Sequence, residues 1–293
     1  MFRLIGVPID SAGTAGGTEL APAAFRSLGL GEAFESSDGG NLEVRIRAER
    51  RDPATGVVGL EDVVRATTEI RQAVRTTLEA GEIPFLIGGC CTMVPGAVAG
   101  VADTRASVGL AHLDGHLDLY DEKSSPLGEA ADMPVAVALG LGPASWVEAA
   151  TTPLTPDSIW ILGYRDREES LRDGMVMPED FDPAVNCLST GELRETGMAA
   201  TGTRVADALA SSRDAYWVHL DLDIVDPGLF FANDAPVPDG IDWDELTELM
   251  SPLLRSPALA GFSLGCYNPD KDRDGANGTR IVQVIADSLG STT

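Results

Sequence analysis

Two short stretches concentrate side chains able to hold a cation: Asp114-Gly-His116-Leu-Asp118 and Asp221-Leu-Asp223-Ile-Val-Asp226-Pro227. In an extended chain, residues two apart project to the same side, so Asp114, His116 and Asp118 form one group and Asp221 and Asp223 another. Carboxylates packed at the end of a buried element lose hydration and repel one another unless a cation compensates. Oxygen and imidazole donors arranged in this way suit one or two divalent ions. The competing reading makes these aspartates solvated loop residues or helix caps. Repetition of the i, i+2 pattern at two separate places favours ligands.

The chain has three histidines. His112 and His219 each stand two residues before a leading aspartate and face the same side deeper in the fold, as hydrogen-bonded core histidines supporting the ligands. A Ser–His–Asp hydrolase has little to work with. Gly13-Thr14-Ala15-Gly16-Gly17 lacks the spacing of a dinucleotide fingerprint, and no phosphate-binding P-loop motif is present.

The elements that must position these residues alternate along the chain. Strands are expected at Phe2–Val7, Ile83–Ile87, Ser107–Leu113, Ser158–Gly163, Tyr216–Leu222 and Leu259–Leu264. Glu61–Ala80 places Val63, Val64, Ile70, Val74 and Leu78 at helical spacing; further helices are expected at Ala21–Leu30, Pro134–Leu141, Arg204–Ser211, Trp243–Leu254 and Thr279–Leu289. Glu35–Asn41, rich in Gly and Ser, reads as a surface loop. Strands alternating with helices imply an α/β fold, a three-layer α/β/α sandwich around a mostly parallel sheet. Without repeat, linker or shift in composition, residues 1–293 read as one domain. Ligands of such sheets bind beyond the carboxyl ends of the strands, where both motifs fall.

Composition narrows the partners. The 46 Asp+Glu against 21 Lys+Arg among 293 residues give a formal charge of −25, without the basic footprint that nucleic acid or an anionic membrane requires. No window approaches the roughly 20 apolar residues of a spanning helix. The N-terminus reads as a first strand and not as a signal peptide. Four cysteines, two of them adjacent, are too few for a disulfide framework and point to a reducing, cytoplasmic setting.

At this point the sequence resembles the ureohydrolases: arginase, agmatinase, formimidoylglutamase and their relatives. The resemblance spans essentially the whole chain, through IGVPIDSAGTAGGTELAPAAFRSLGL, LIGGCCT, HLDGHLD, HLDLDIVDP and YNPDKDRDG. It implies an arginase-like fold with two divalent ions, manganese in the family, whose hydroxide attacks a guanidino or amidino carbon of a small-molecule substrate. Asp114 and Asp221 would bridge both ions, Asp118 would hold the first and a hydrogen bond to the nucleophile, and His116 and Asp223 would hold the second. It also implies a homo-oligomer, a trimer or hexamer.

Three departures from the family pattern stand out. The family's remaining ligand is a histidine in Gly-Gly-Asp-His-Ser; this chain has Gly88-Gly89-Cys90-Cys91-Thr92, which puts Cys91 in that place. As a thiolate Cys91 can bind metal, and its softness favours zinc, iron or cobalt there. Its extra negative charge would also raise the pKa of the attacking water relative to a histidine-ligated site. The alternative is a small buried hydrophobe in a dead site. Cys90 is expected to be structural.

Cys266 replaces a glutamate that receives the substrate guanidinium, which turns the expectation away from unmodified arginine and toward a hydroxyguanidino or other less basic amidino compound. Ala131 replaces a proton-shuttling histidine, leaving Glu129 or Asp132 as general acid. Glu168 and Glu169 lie where the family binds a substrate amino group. The leading expectation is a metal-dependent hydrolase of linear, non-peptide C–N bonds. Two alternatives remain open: a catalytically silent metal-binding or assembly protein, and an enzyme in which Cys266 is the covalent nucleophile.

Overall fold

Apolar runs without alternation become strands buried on both faces, as expected for an all-parallel sheet. The computed structural model describes residues 1–12, 16–47, 50–151 and 154–290; Gly13, Thr14 and Ala15 of the glycine-rich stretch lie outside them. The strands are β1 (Phe2–Val7), β2 (Ser36–Asn41), β3 (Ile83–Gly88), β4 (Val108–Leu113), β5 (Ile159–Tyr164), β6 (Asn186–Ser189), β7 (Ala215–Asp221) and β8 (Leu259–Gly265). They form one 8-stranded sheet in the order β2-β1-β3-β8-β7-β4-β5-β6. Every adjacent pair is parallel.

Helices cover both faces and complete the three-layer α/β/α arrangement. On one face, Leu60–Glu79 and Val94–Ala102 bury Val63, Ile70, Val74 and Val98 with Leu86, Leu110 and Trp217 of the sheet. On the other, Met198–Ser212, Trp243–Leu254 and Ala276–Leu289 bury Val205, Leu249 and Ile285 against Phe85, Val218 and Phe262. Among the described residues, no helix is long and apolar enough to cross a membrane.

The six expected strands form, with ends shifted by a residue or two. Glu35–Asn41 is corrected: Ser36–Asn41 is the edge strand β2, paired to β1. Its backbone takes up the free hydrogen-bonding edge of β1, while its polar side chains meet solvent and Arg26, which donates to Asp38 (2.9 Å) and Asn41 (2.6 Å). An edge strand needs no apolar pattern, so periodicity is blind to it. The helix expected over Pro134–Leu141 ends at Ala138, before Gly140 at φ 85°. The one expected from Arg204 starts at Met198, because buried Met198, Thr201 and Gly202 extend its packed face.

Candidate metal centre

The four central strands of the sheet, β3, β8, β7 and β4, deliver the candidate residues from their carboxyl ends. Cys91 follows β3, Cys266 follows β8, Asp221 ends β7 with Asp223 just beyond it, and Asp114, His116 and Asp118 follow β4. The two acidic motifs converge through turns and not through strand pleating. The backbone N–H of His116 donates to Asp114 Oδ1 (2.7 Å), and that of Asp223 donates to Asp221 Oδ1 (2.8 Å). Each leading aspartate thus closes the turn it opens. The second oxygens lie close to Cys91: its Sγ is 2.6 Å from Asp221 Oδ2 and 3.7 Å from Asp114 Oδ2.

Close approach between the two motifs depends on Gly115, whose N–H donates to Asp223 Oδ1 (2.9 Å) and whose Cβ, if it had one, would meet that oxygen at 2.8 Å. Asp118 sits at φ 54° and its carbonyl accepts from Val135 N (3.1 Å) and Ala136 N (3.2 Å) at the start of the helix Pro134–Ala138. Cys266, at φ 62°, donates its N–H to Gly89 O (2.7 Å), and its Sγ is 3.7 Å from Cys91 Sγ. Non-glycine residues in the left-handed region concentrate where a site demands a particular direction of the side chain.

Burial and mutual repulsion govern the electrostatics of the buried carboxylates. Asp114, Asp118, Asp221 and Asp223 are all buried. Burial, then Asp114, pushes the Asp118 carboxyl up to about 8. Burial, then Asp223 and Asp114, raises Asp221 well above the carboxylate range. Burial also raises Asp223, against the pull of His116. Asp114 alone is lowered: burial opposes ionisation, but hydrogen bonds from His112 and His116 outweigh it. Burial works against the His112 cation too, yet Asp114 and Asp118, each 3.0 Å from its Nε2, lift it to about 10. The Cys91 thiol is raised by Cys266, by burial and by Asp221. These shifts come from carboxylates and a thiol crowded together out of water.

Donor atoms mutually within 4.8 Å form overlapping sets that share Asp114: Cys91, Asp114, His219 and Asp221; Asp114, His116 and Asp223; and His112, Asp114 and Asp118. Oxygen, nitrogen and sulfur at such spacings fit divalent ions, and buried His219 Nε2 has no hydrogen-bond partner. A cavity of about 580 Å³ opens above them, lined by Cys91, His116, Asp118, Glu129, Asp132, Glu169, Asp221, Asp223 and Cys266. None of the described residues lining it is Lys or Arg. Glu129 is half-buried, and its carboxyl is raised by burial and by Asp132 and Asp10. Asp132 accepts from Ser125 Oγ (2.6 Å). Glu168 faces a neighbouring opening of about 460 Å³ with Arg165 and Arg172, whereas Glu169 lines both. Cys90 is buried, with its thiol 3.4 Å from Thr92 Oγ1.

Sequence reasoning passed over several residues here. Asp10 lines the cavity while accepting from Ala12 N (3.0 Å) and Gly16 N (2.7 Å). Asp166 accepts from Leu117 N (3.1 Å), bracing the turn between His116 and Asp118. Arg165 donates to the carbonyls of Asp223 (2.6 Å), Gly163 (2.8 Å) and Val237 (3.1 Å) and holds the segment after β7 in place. The signal available was the charged run Arg165-Asp166-Arg167 directly after a buried strand.

A parallel α/β sheet with carboxylate, imidazole and thiol donors beyond its central strands defines the class of protein. The chain belongs to the arginase family, whose model matches residues 1–290. It is 26% identical over 296 residues to the arginase of Bacillus subtilis strain 168, covering 99% of this chain and 97% of that one. A crystal structure of arginase from the same strain superposes with a TM-score of 0.85 at 26% identity, covering 100% and 99% of the two chains. Formimidoylglutamase from Bacillus subtilis shares the fold, with a TM-score of 0.74 at 18% identity over 99% of this chain and 86% of its own.

Proposed function

We propose that this protein is a binuclear metal hydrolase that cleaves a linear, non-peptide C–N bond in a small amidine or guanidine-type substrate less basic than arginine. The observation that carries the reading is the convergence of Cys91, Asp114, His116, Asp221 and Asp223 into overlapping donor sets beneath one cavity. Cys91, Asp114, Asp118 and Asp221 would hold one ion and Asp114, His116, Asp221 and Asp223 the other. When bound, two divalent ions supply a water acidic enough to attack at neutral pH and offset the charge of the buried carboxylates. Manganese is the choice by family; zinc, iron or cobalt suits the sulfur of Cys91.

The chain's own residues would do the rest. Asp118 aligns the attacking water through a hydrogen bond. The trigonal carbon gains the water oxygen, its bond to the leaving nitrogen breaks, and Glu129, whose carboxyl burial and its acidic neighbours raise, hands that nitrogen a proton. Cys266 lines the substrate end of the cavity. Its thiol offers no bidentate carboxylate contact, which favours a hydroxyguanidino or other weakly basic group over arginine's guanidinium. The carboxylate-rich lining, without Lys or Arg among its described residues, suits a substrate with positive charge elsewhere; Glu169, with Glu168 at the neighbouring opening, would receive an amino group.

Cys91 pulls the Cys266 thiol down, but burial and Asp221 leave it raised overall, which supports hydrolysis by water over a cysteine nucleophile. Residues 1–293 act as one domain in this reading. Four free cysteines support a reducing, cytoplasmic setting, and a trimer or hexamer follows from the family.

The test is metal analysis of purified protein, followed by a screen of guanidino, hydroxyguanidino, formimino and ureido compounds for release of urea, hydroxyurea or ammonia. Two bound ions and turnover of one of these classes are expected. Two ions with no turnover on any of them would overturn the hydrolase reading in favour of a silent metal-binding protein. Cys91→His is expected to shift metal preference toward manganese, read by metal content after loading from an equimolar mixture.

A further inference from the structure

Three adjacent strands place Ser263, His219 and His112 side by side on one face of the sheet, directly beneath the acidic motifs: His219 pairs in register with Ser263 of β8 and with His112 of β4. The two imidazoles stack with ring centroids 5.1 Å apart and planes at 20°. Both are fully buried, yet their hydrogen bonding differs. His112 spends Nε2 on the carboxylates of Asp114 and Asp118, at 3.0 Å each. His219 spends only Nδ1, which lies 2.7 Å from Ser263 Oγ, and its Nε2 has no partner.

With Nδ1 of His219 2.7 Å from Ser263 Oγ, the other bonds of that hydroxyl bear on which imidazole nitrogen carries the proton. A serine hydroxyl has one proton to donate and two lone pairs to accept with. One lone pair takes the indole N–H of Trp217 (2.8 Å). The hydroxyl's own proton has an acceptor in Val218 O at 3.5 Å. That arrangement leaves the second lone pair open to Nδ1–H of His219, the tautomer that puts the imidazole lone pair on Nε2 and spares that unpartnered nitrogen a buried, unsatisfied N–H. A histidine that ligates a metal commonly donates its other N–H in this way. A ring nitrogen of His219 lies within 4.8 Å of Cys91 Sγ, an Asp114 oxygen and an Asp221 oxygen, and with Nδ1 committed to Ser263 the nitrogen free for a cation is Nε2. Donors about 2.0–2.3 Å from a common ion are separated by such distances.

We propose that His219 Nε2 is a ligand of the ion held by Cys91, Asp114 and Asp221, so that this position keeps an imidazole donor although the chain carries a thiol at Cys91. The inference rests on the metal-hydrolase reading. It converts His219 from a core residue into part of the site, and it makes Ser263, Trp217 and Val218 O the group that sets its tautomer. Sulfur and nitrogen beside the carboxylates of Asp114, Asp118 and Asp221 favour zinc or cobalt.

X-ray absorption fine structure of the zinc-loaded protein tests this without reference to turnover. The expected count is two imidazoles for every two zinc ions, His116 and His219, with one sulfur. His219→Phe, which keeps a ring stacked on His112, is expected to lower the count to one, retain the sulfur and weaken the zinc site that holds Cys91 at least ~100-fold in chelator competition. Ser263→Ala, which removes the tautomer lock, is expected to weaken it roughly 10-fold, whereas His112→Gln keeps two imidazoles. Two ions with one imidazole in the unmodified protein would overturn the role of His219 and leave the hydrolase reading standing. No bound ion at all would overturn both. Should His219→Phe fail to fold, the imidazole count of the unmodified protein and of Ser263→Ala still decides.

Discussion

If the buried carboxylates are ligands, the fold carries a cost whenever the ions are absent, and Asp118→Asn should expose it. Burial and Asp114 push the Asp118 carboxyl up to about 8 from an ordinary 3.8. Keeping that proton on at pH 7 costs about 4 kcal/mol, at about 1.36 kcal/mol per unit. Asparagine needs no proton, matches the shape, tolerates the left-handed backbone at φ 54°, and its amide oxygen still accepts from His112. Exchanging the protonated carboxyl for an amide in that contact returns about 1–2 kcal/mol. A net gain of about 2–3 kcal/mol remains, and at roughly 2 °C per kcal/mol for a chain of this size the metal-free variant should melt about 4–6 °C above the parent near pH 7.

The pH dependence has a definite sign. A carboxyl whose folded pKa is raised favours the fold fully below its unfolded value of 3.8, and that stability is lost as pH rises through about 8. His112, raised to about 10, adds a slope of the same sign above its ordinary 6.5. The parent protein in chelator should therefore lose stability steadily from pH 5 to 8.5, and Asp118→Asn should be flatter. Metal closes the gap: ions at 100 times their Kd stabilise the parent by about 2.7 kcal/mol, and the variant, lacking a ligand, should gain little. Calorimetric melting with chelator and with saturating manganese or zinc measures both. A variant no more stable than the parent in chelator at pH 8, or one that gains as much from metal, would refute the reasoning.

Other outcomes follow from the same geometry. Asp223→Ala should abolish turnover while Cys266→Ser retains it, measured as product release on the substrate found in the screen; the reverse pattern would restore the cysteine nucleophile. Glu129→Gln should lower kcat about 10²–10⁴-fold. In the parent, kcat should fall as pH rises through the raised Glu129 pKa, since a general acid works while protonated, and the variant's profile should lack that limb. Gly89→Ala puts a Cβ 1.4 Å from the carbonyl oxygen of Ile9, which forces backbone to move at the end of β3; a loss of about 1–3 kcal/mol in denaturant melts is expected, together with a lower metal content because Cys91 shifts.

The sequence alone determined the alternation of buried strands and amphipathic helices, and therefore the layers, because parallel strands buried on both faces must be apolar throughout. It also located the two acidic motifs, since each one's donors are neighbours in the chain. Strand β2 escaped it because an exposed edge is held by backbone hydrogen bonds and leaves no apolar trace. The spacing argument put the aspartates together for a reason the fold replaces: turns closed by Asp114 and Asp221 bring them round, and Gly115 lets the motifs touch.

Tertiary structure decided what depends on strand order. Cys91 and Asp221 are 130 residues apart and Cys91 and Cys266 are 175 apart, yet they meet because β3, β8 and β7 are neighbours in the sheet. It turned Glu169 toward the main cavity and left Glu168 at the neighbouring opening. It also separated His112 from His219, which the sequence made equivalent, because only His219 has Ser263 on the adjacent strand to hold Nδ1 and leave Nε2 unpartnered. Residue type and local spacing can name the donors; which nitrogen or sulfur faces which oxygen is set by the register between strands, which no single stretch of the chain contains.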